Sequence, residues 1–125
     1  MSEFTLAAFA DEAGAEVSEQ IRALQENGIP GIELRGVGEK NITDLTCEEA
    51  KELKKQLDDG GIRVWSIGSP LGKISVGEAF APHLDVFKHT LELAHILQTE
   101  RIRMFSFFCP KGEEQYCRDI VFERL

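Results

Sequence analysis

Four times along the chain a short apolar run is followed by a stretch with helical periodicity, and that alternation limits the fold to an α/β architecture built on a parallel sheet. Residues 4–10 read as a first strand, and residues 11–14 as the loop that leaves it. Val17, Ile21 and Leu24 follow at helical spacing, and Gly28 stands where a helix stops in a left-handed residue. After a second strand at 31–35, a loop through Gly36, Gly38 and Asn41 leads to Thr46-Cys47-Glu48-Glu49, which has the capping-box form. Ala50, Leu53 and Leu57 supply that helix's buried stripe, and Gly60-Gly61 ends it. Residues 62–68 predict a third strand, 78–98 a longer helix, 101–108 a fourth strand and 113–125 a fourth helix. The unit recurs but its sequence does not, so this is no array of copied repeats.

The second strand carries most of the functional information. In Gly31-Ile32-Glu33-Leu34-Arg35-Gly36, alternation sends Ile32 and Leu34 to one face and Glu33 and Arg35 to the other. The apolar face packs against helices. The charged face lines a wet site or cavity, because an ion pair in a dry core is costly; the plainer alternative is an exposed edge strand with a surface ion pair.

Composition excludes several classes. With 125 residues the chain is one domain's worth, long enough for a hydrophobic core, and its 42% apolar and 29% charged residues are those of a globular protein. No apolar run approaches the ~20 residues of a membrane helix, and Met1-Ser2-Glu3-Phe4 lacks the basic start of a signal peptide. A formal charge of −8 opposes binding to a phosphate backbone, so no nucleic-acid partner is expected. Cys47, Cys109 and Cys117 cannot pair completely and match no zinc spacing, which fits a reducing, cytoplasmic setting.

Phe9-Ala10-Asp11-Glu12, Gly31-Ile32-Glu33-Leu34-Arg35, the Ser66-to-Pro70 turn and Ile102-Arg103-Met104-Phe105-Ser106-Phe107 together resemble the sugar-phosphate isomerase/epimerase family. These are the xylose-isomerase-like TIM barrels, whose superfamily includes endonuclease IV. The resemblance spans essentially all of the chain and rests on the order and spacing of four strand-end signatures. It implies a single partial domain over residues 1–125, a parallel (βα)4 half of a TIM barrel, matching the first half of the family's eight strand–helix units. In that family the divalent metal (Mn, Mg or Zn) and the two proton-shuttling glutamates lie in the second half, so no cofactor and no catalytic residue is expected in this chain.

Barrel sites lie at the C-terminal ends of the strands. That rule singles out Asp11, Glu12, Glu33, Arg35, residues 66–69, Lys73, Arg103, Phe105 and Phe107. Of these, Glu33, Arg35, Ser69, Lys73, Arg103 and Phe105 are the expected substrate-binding set. Arg103 can reach Glu33 in a charge-assisted, even bidentate pair that either positions a substrate hydroxyl or fills the barrel floor. Lys73 suits a substrate phosphate or carboxylate, or is solvated surface; Phe105 and Phe107 floor a sugar pocket, or belong to the core. His83, His89 and His95, six residues apart on one helix, fall on three faces and cannot share one metal. Cys109 is expected as an ordinary reduced thiol.

The resemblance implies a small sugar or sugar phosphate as ligand and, for the family, proton transfer beside a carbonyl. A chain holding only the first half is expected to be inactive alone. The alternative is a non-catalytic half-barrel module, whose two open edges would be covered by a homodimer or a complementing second half.

Overall fold

A computed structural model describes residues 4–125; Met1 to Glu3, part of the start read above for a signal peptide, lie outside the described residues. A four-stranded sheet has the order β1 (Ala7–Ala8), β2 (Gly31–Leu34), β5 (Arg63–Gly68) and β6 (Ile102–Arg103), all neighbours parallel. Between them run α1 (Val17–Glu26), α2 (Cys47–Asp59) and α3 (Phe80–Leu97), and α4 (Glu114–Arg124) closes the chain. This is the (βα)4 order that the alternation predicts.

One sheet face is dry and the other open. Ile32, Leu34, Val64 and Ile67 are buried with Leu24, Leu53, Leu57, Leu93 and Leu97 from α1, α2 and α3. On the opposite side of β5, Arg63 and Trp65 are exposed, Trp65 at 41%. Its ring carries the Arg101 guanidinium 3.9 Å from its centroid. A closed barrel hides that inner face; a half-barrel leaves it open.

The helix signals hold in detail. Thr46 Oγ1 accepts from the Glu49 amide and Glu49 Oε1 accepts from the Thr46 amide, both at 3.1 Å, completing the capping box. Thr46→Ala should therefore cost about 1 kcal/mol, read as a lower urea midpoint with an unchanged slope. Gly28 takes its left-handed conformation at φ 66°.

Three expectations change. The first strand shrinks from 4–10 to two residues: β1 is an edge that bonds only to β2, and Ala10–Glu12 turns into a 3-10 helix that carries Asp11 toward β2. The loop after β2 contains a small hairpin, β3 (Gly36–Val37) with β4 (Lys40–Asn41), turning through Gly38 at φ 62°. The fourth strand ends at Arg103 because the chain beyond it turns to another partner. Phe105 N donates to Leu71 O (2.7 Å), Phe107 N to Gly72 O (2.8 Å) and Phe108 N to Ile74 O (2.8 Å). Residues 104–108 thus pair with the loop that leaves β5 and not with β5 itself.

The cysteine reading is also corrected. Cys109 and Cys117 form a disulfide, joining the loop after residue 108 to α4, and only Cys47 is a free thiol. The one-turn placement of Cys117 in α4 brings its Cα within 6.0 Å of Cys109, a proximity that a count of three could not reveal. No described helix is long and apolar enough to cross a membrane.

Candidate functional site

Because all four strands run parallel, their C-terminal ends share one rim, and the chain places a band of charges and rings there. Arg35, one residue past β2, makes a two-pronged contact with Asp11: Nε to Oδ2 and Nη2 to Oδ1, each 2.8 Å. Glu12 stands 3.6 Å from the same guanidinium. Glu33 does not pair with Arg35. It accepts from Arg103 Nε at 3.1 Å, reaching from β2 across β5 to β6. The expected Glu33–Arg103 contact is present, while the bidentate geometry belongs to Arg35 and Asp11.

Aromatic rings tie the two pairs together. Arg35 lies 4.4 Å from the Phe9 ring centroid and Arg103 5.4 Å from it. Arg103 is also 5.3 Å from the Phe105 ring centroid, and Lys73 Nζ is 5.6 Å from the same centroid. The sequence Asp11, Arg35, Phe9, Arg103, Phe105, Lys73 is a continuous strip in which each cation meets a π-face.

Backbone features make room for the strip. A Cβ on Gly68 would stand 3.0 Å from Arg103 Nη2 and 3.3 Å from Glu33 Cγ, so the pair crosses β5 where that strand has no side chain. A Cβ on Gly36 would meet Asp11 Oδ2 at 3.1 Å. Gln20, buried in α1, donates from Nε2 to Ala15 O (3.1 Å) and Gly36 O (3.0 Å), fixing the loop that carries Arg35.

Of the six expected ligand-facing residues, Glu33, Arg35, Arg103, Phe105 and Lys73 come together on the rim. Ser69 does not face it: only 1% exposed, its hydroxyl donates to Arg103 O (2.5 Å) and accepts from Leu71 N (3.3 Å). It positions Arg103. Phe107 turns away and packs edge-on against Phe80, with centroids 6.2 Å apart. Phe9 and Gly68 join the site without having been singled out as ligand-facing. Gly68 lay within the strand-end residues 66–69, and a glycine inside a strand was its signal; Phe9 opens the Phe9-Ala10-Asp11-Glu12 segment, but nothing there marks its ring as ligand-facing. His83 and His89 serve the backbone, the first accepting from Gly72 N (2.7 Å) and the second hydrogen-bonded to Leu45 O (2.6 Å).

The electrostatics are set by the pairing. The Arg35 hydrogen bonds hold the Asp11 carboxyl below the usual carboxylate value, outweighing the burial that pushes it up. The same bonds to Asp11 push Arg35 further up. Asp11 therefore contributes stability that is complete above its unfolded value near pH 4 and is lost as pH falls through its lower folded value. Wild-type stability should drop between about pH 4 and pH 2 more steeply than that of Asp11→Asn, measured by urea midpoints across that range.

The rim carboxylates are thus committed to guanidinium groups. Among the described residues, the one group of three metal-binding side chains with converging ligand atoms is Cys47, His89 and Glu92, which lies between α2 and α3 and not among the strand-end side chains.

Fold and rim together define half of a parallel α/β barrel carrying the polar wall of a barrel mouth. In agreement, the chain is similar in structure to D-psicose 3-epimerase, solved in the presence of D-fructose, with a TM-score of 0.56 and 21% sequence identity over 81% of this chain. The likeness is one of fold alone, and this chain spans 37% of that enzyme's length. No family model and no curated protein matches the sequence.

Proposed function

We propose that this chain supplies the substrate-binding wall of a sugar or sugar-phosphate isomerase or epimerase. The observation that carries the reading is the Arg35–Phe9–Arg103–Phe105–Lys73 strip on the rim of the parallel strands. Sugars are held by planar groups against their C–H faces and by charged donors and acceptors at their hydroxyls. Phe9 and Phe105 offer the faces, Glu33 an acceptor, and Arg35 and Arg103 donors. Lys73, exposed in the loop after β5, is placed for a phosphate or carboxylate. The proton transfer beside a carbonyl that such enzymes perform rests on a metal and carboxylates outside this chain, so the chain alone turns nothing over.

Calorimetric titration with D-fructose and with a ketose phosphate tests the reading. Weak binding, with Kd of about 1–10 mM and tighter for the phosphate, is expected. Equal silence toward both ligands at tens of millimolar would overturn it.

A second reading, a self-associating half-barrel without a ligand, is favoured by the open inner face around Trp65 and by the exposed Leu6 and Met104 beside the edge strands. It requires a dimer by light scattering, and a monomer that binds sugar rules it out.

A further inference from the structure

We infer that Cys47, His89 and Glu92 form a Zn²⁺ site that clips α2 to α3, away from the strand-end rim. The three ligand atoms lie within 4.8 Å of one another, drawn from two packed helices. Cys47 opens α2, and His89 and Glu92 lie in α3, three positions apart on one helical face. The Cys47 Sγ to Glu92 Oε2 separation is 3.6 Å. Zinc bonds of about 2.3 Å to sulfur and 2.1 Å to oxygen at a tetrahedral angle put those ligands about 3.6 Å apart. The site needs little rearrangement on that edge.

The hydrogen bond that His89 makes leaves its other ring nitrogen free for an ion. Its Nε2 is 2.6 Å from Leu45 O, and a carbonyl only accepts, so Nε2 carries the proton and the lone pair is on Nδ1. A ring nitrogen held by a backbone carbonyl while its partner binds the ion is the usual support for a ligating histidine. Leu45 is itself buried, which fixes that carbonyl. One thiolate, one imidazole and one carboxylate select a borderline-soft ion such as Zn²⁺ over Mg²⁺ or Ca²⁺. Binding releases the thiol proton to solvent, and with Glu92 at the surface a water completes four-coordination. The spacing of the histidines keeps them from meeting on one ion; this site takes only one of them and finds its sulfur on another helix.

The test is a Co²⁺ titration of the purified 125-residue chain, with its disulfide intact, followed by Zn²⁺ competition. A near-ultraviolet thiolate-to-cobalt band should saturate at one equivalent and vanish when Zn²⁺ is added. Zn²⁺ alone should raise Tm by about 5 °C or more. Cys47→Ser should abolish both responses, and Glu92→Gln, at an exposed position, should weaken binding at least about tenfold while keeping the band. No thiolate band in the wild type, or a band that survives Cys47→Ser, overturns the assignment. Neither result bears on sugar binding at the rim.

Discussion

Gly72→Ala should destabilise the chain by roughly 3–5 kcal/mol, enough to lower Tm by more than about 10 °C. Gly72 sits at φ 78°, where an L side chain is strained, and a Cβ there would run into the backbone carbonyl of Phe105. That carbonyl has no room to withdraw. Phe105 N is bonded to Leu71 O, Phe107 N to Gly72 O, and the Gly72 amide donates to His83. The strain would thus spread into the pairing that carries Phe105 to the rim. Gly77→Ala is the control, because a Cβ at Gly77 approaches only Ser75 Oγ, at 3.8 Å. If thermal melts place the two variants together, residues 104–108 do not pair with the loop as described.

Arg103→Ala should weaken ligand binding about ten- to hundredfold, with a smaller loss of stability of about 1–2 kcal/mol. Arg103 touches Glu33, Phe9 and Phe105 together. Its removal leaves the Glu33 carboxylate, 18% exposed, without its cation. Partial exposure of both partners screens the pair and keeps the stability term modest. Arg103→Lys should restore most of the stability but little of the binding, because an ammonium lacks the planar stacking surface and the fork of donors. Calorimetry and urea melts on the same three proteins separate the two effects. Equal loss of both in the alanine and lysine variants would make Arg103 a structural residue only.

The sequence carried the fold because its signals were local. Thr46 with Glu49, the stripe of Ala50, Leu53 and Leu57, and the alternation around Glu33 each draw on neighbours within a turn or a strand. What it did not carry depended on partners far along the chain. Whether residues 104–108 extend a strand or pair with a loop is decided by Leu71, Gly72 and Ile74, more than thirty positions earlier. The disulfide required α4 to begin at Glu114, so that Cys117 turns back toward Cys109. Ser69 looked like a ligand hydroxyl because serine at a strand end often is one; here its oxygen is spent on Arg103's backbone. The Glu33–Arg103 pair was legible because both residues stand near the C-terminal ends of parallel strands, whereas the role of Phe9 between two arginines is visible only once β1, β2, β5 and β6 are assembled in one sheet.

The most direct measurement is residue-resolved amide NMR of the isotopically labelled chain titrated with D-fructose and then with a ketose phosphate. The account predicts shifts at Phe9, Asp11, Arg35, Gly68, Arg103 and Phe105, with Lys73 joining for the phosphate, and in Arg103→Ala the same shifts only at about ten- to hundredfold higher ligand concentrations. Shifts confined to residues away from the strand-end rim, or no shifts at any concentration that saturates a millimolar site, would contradict it.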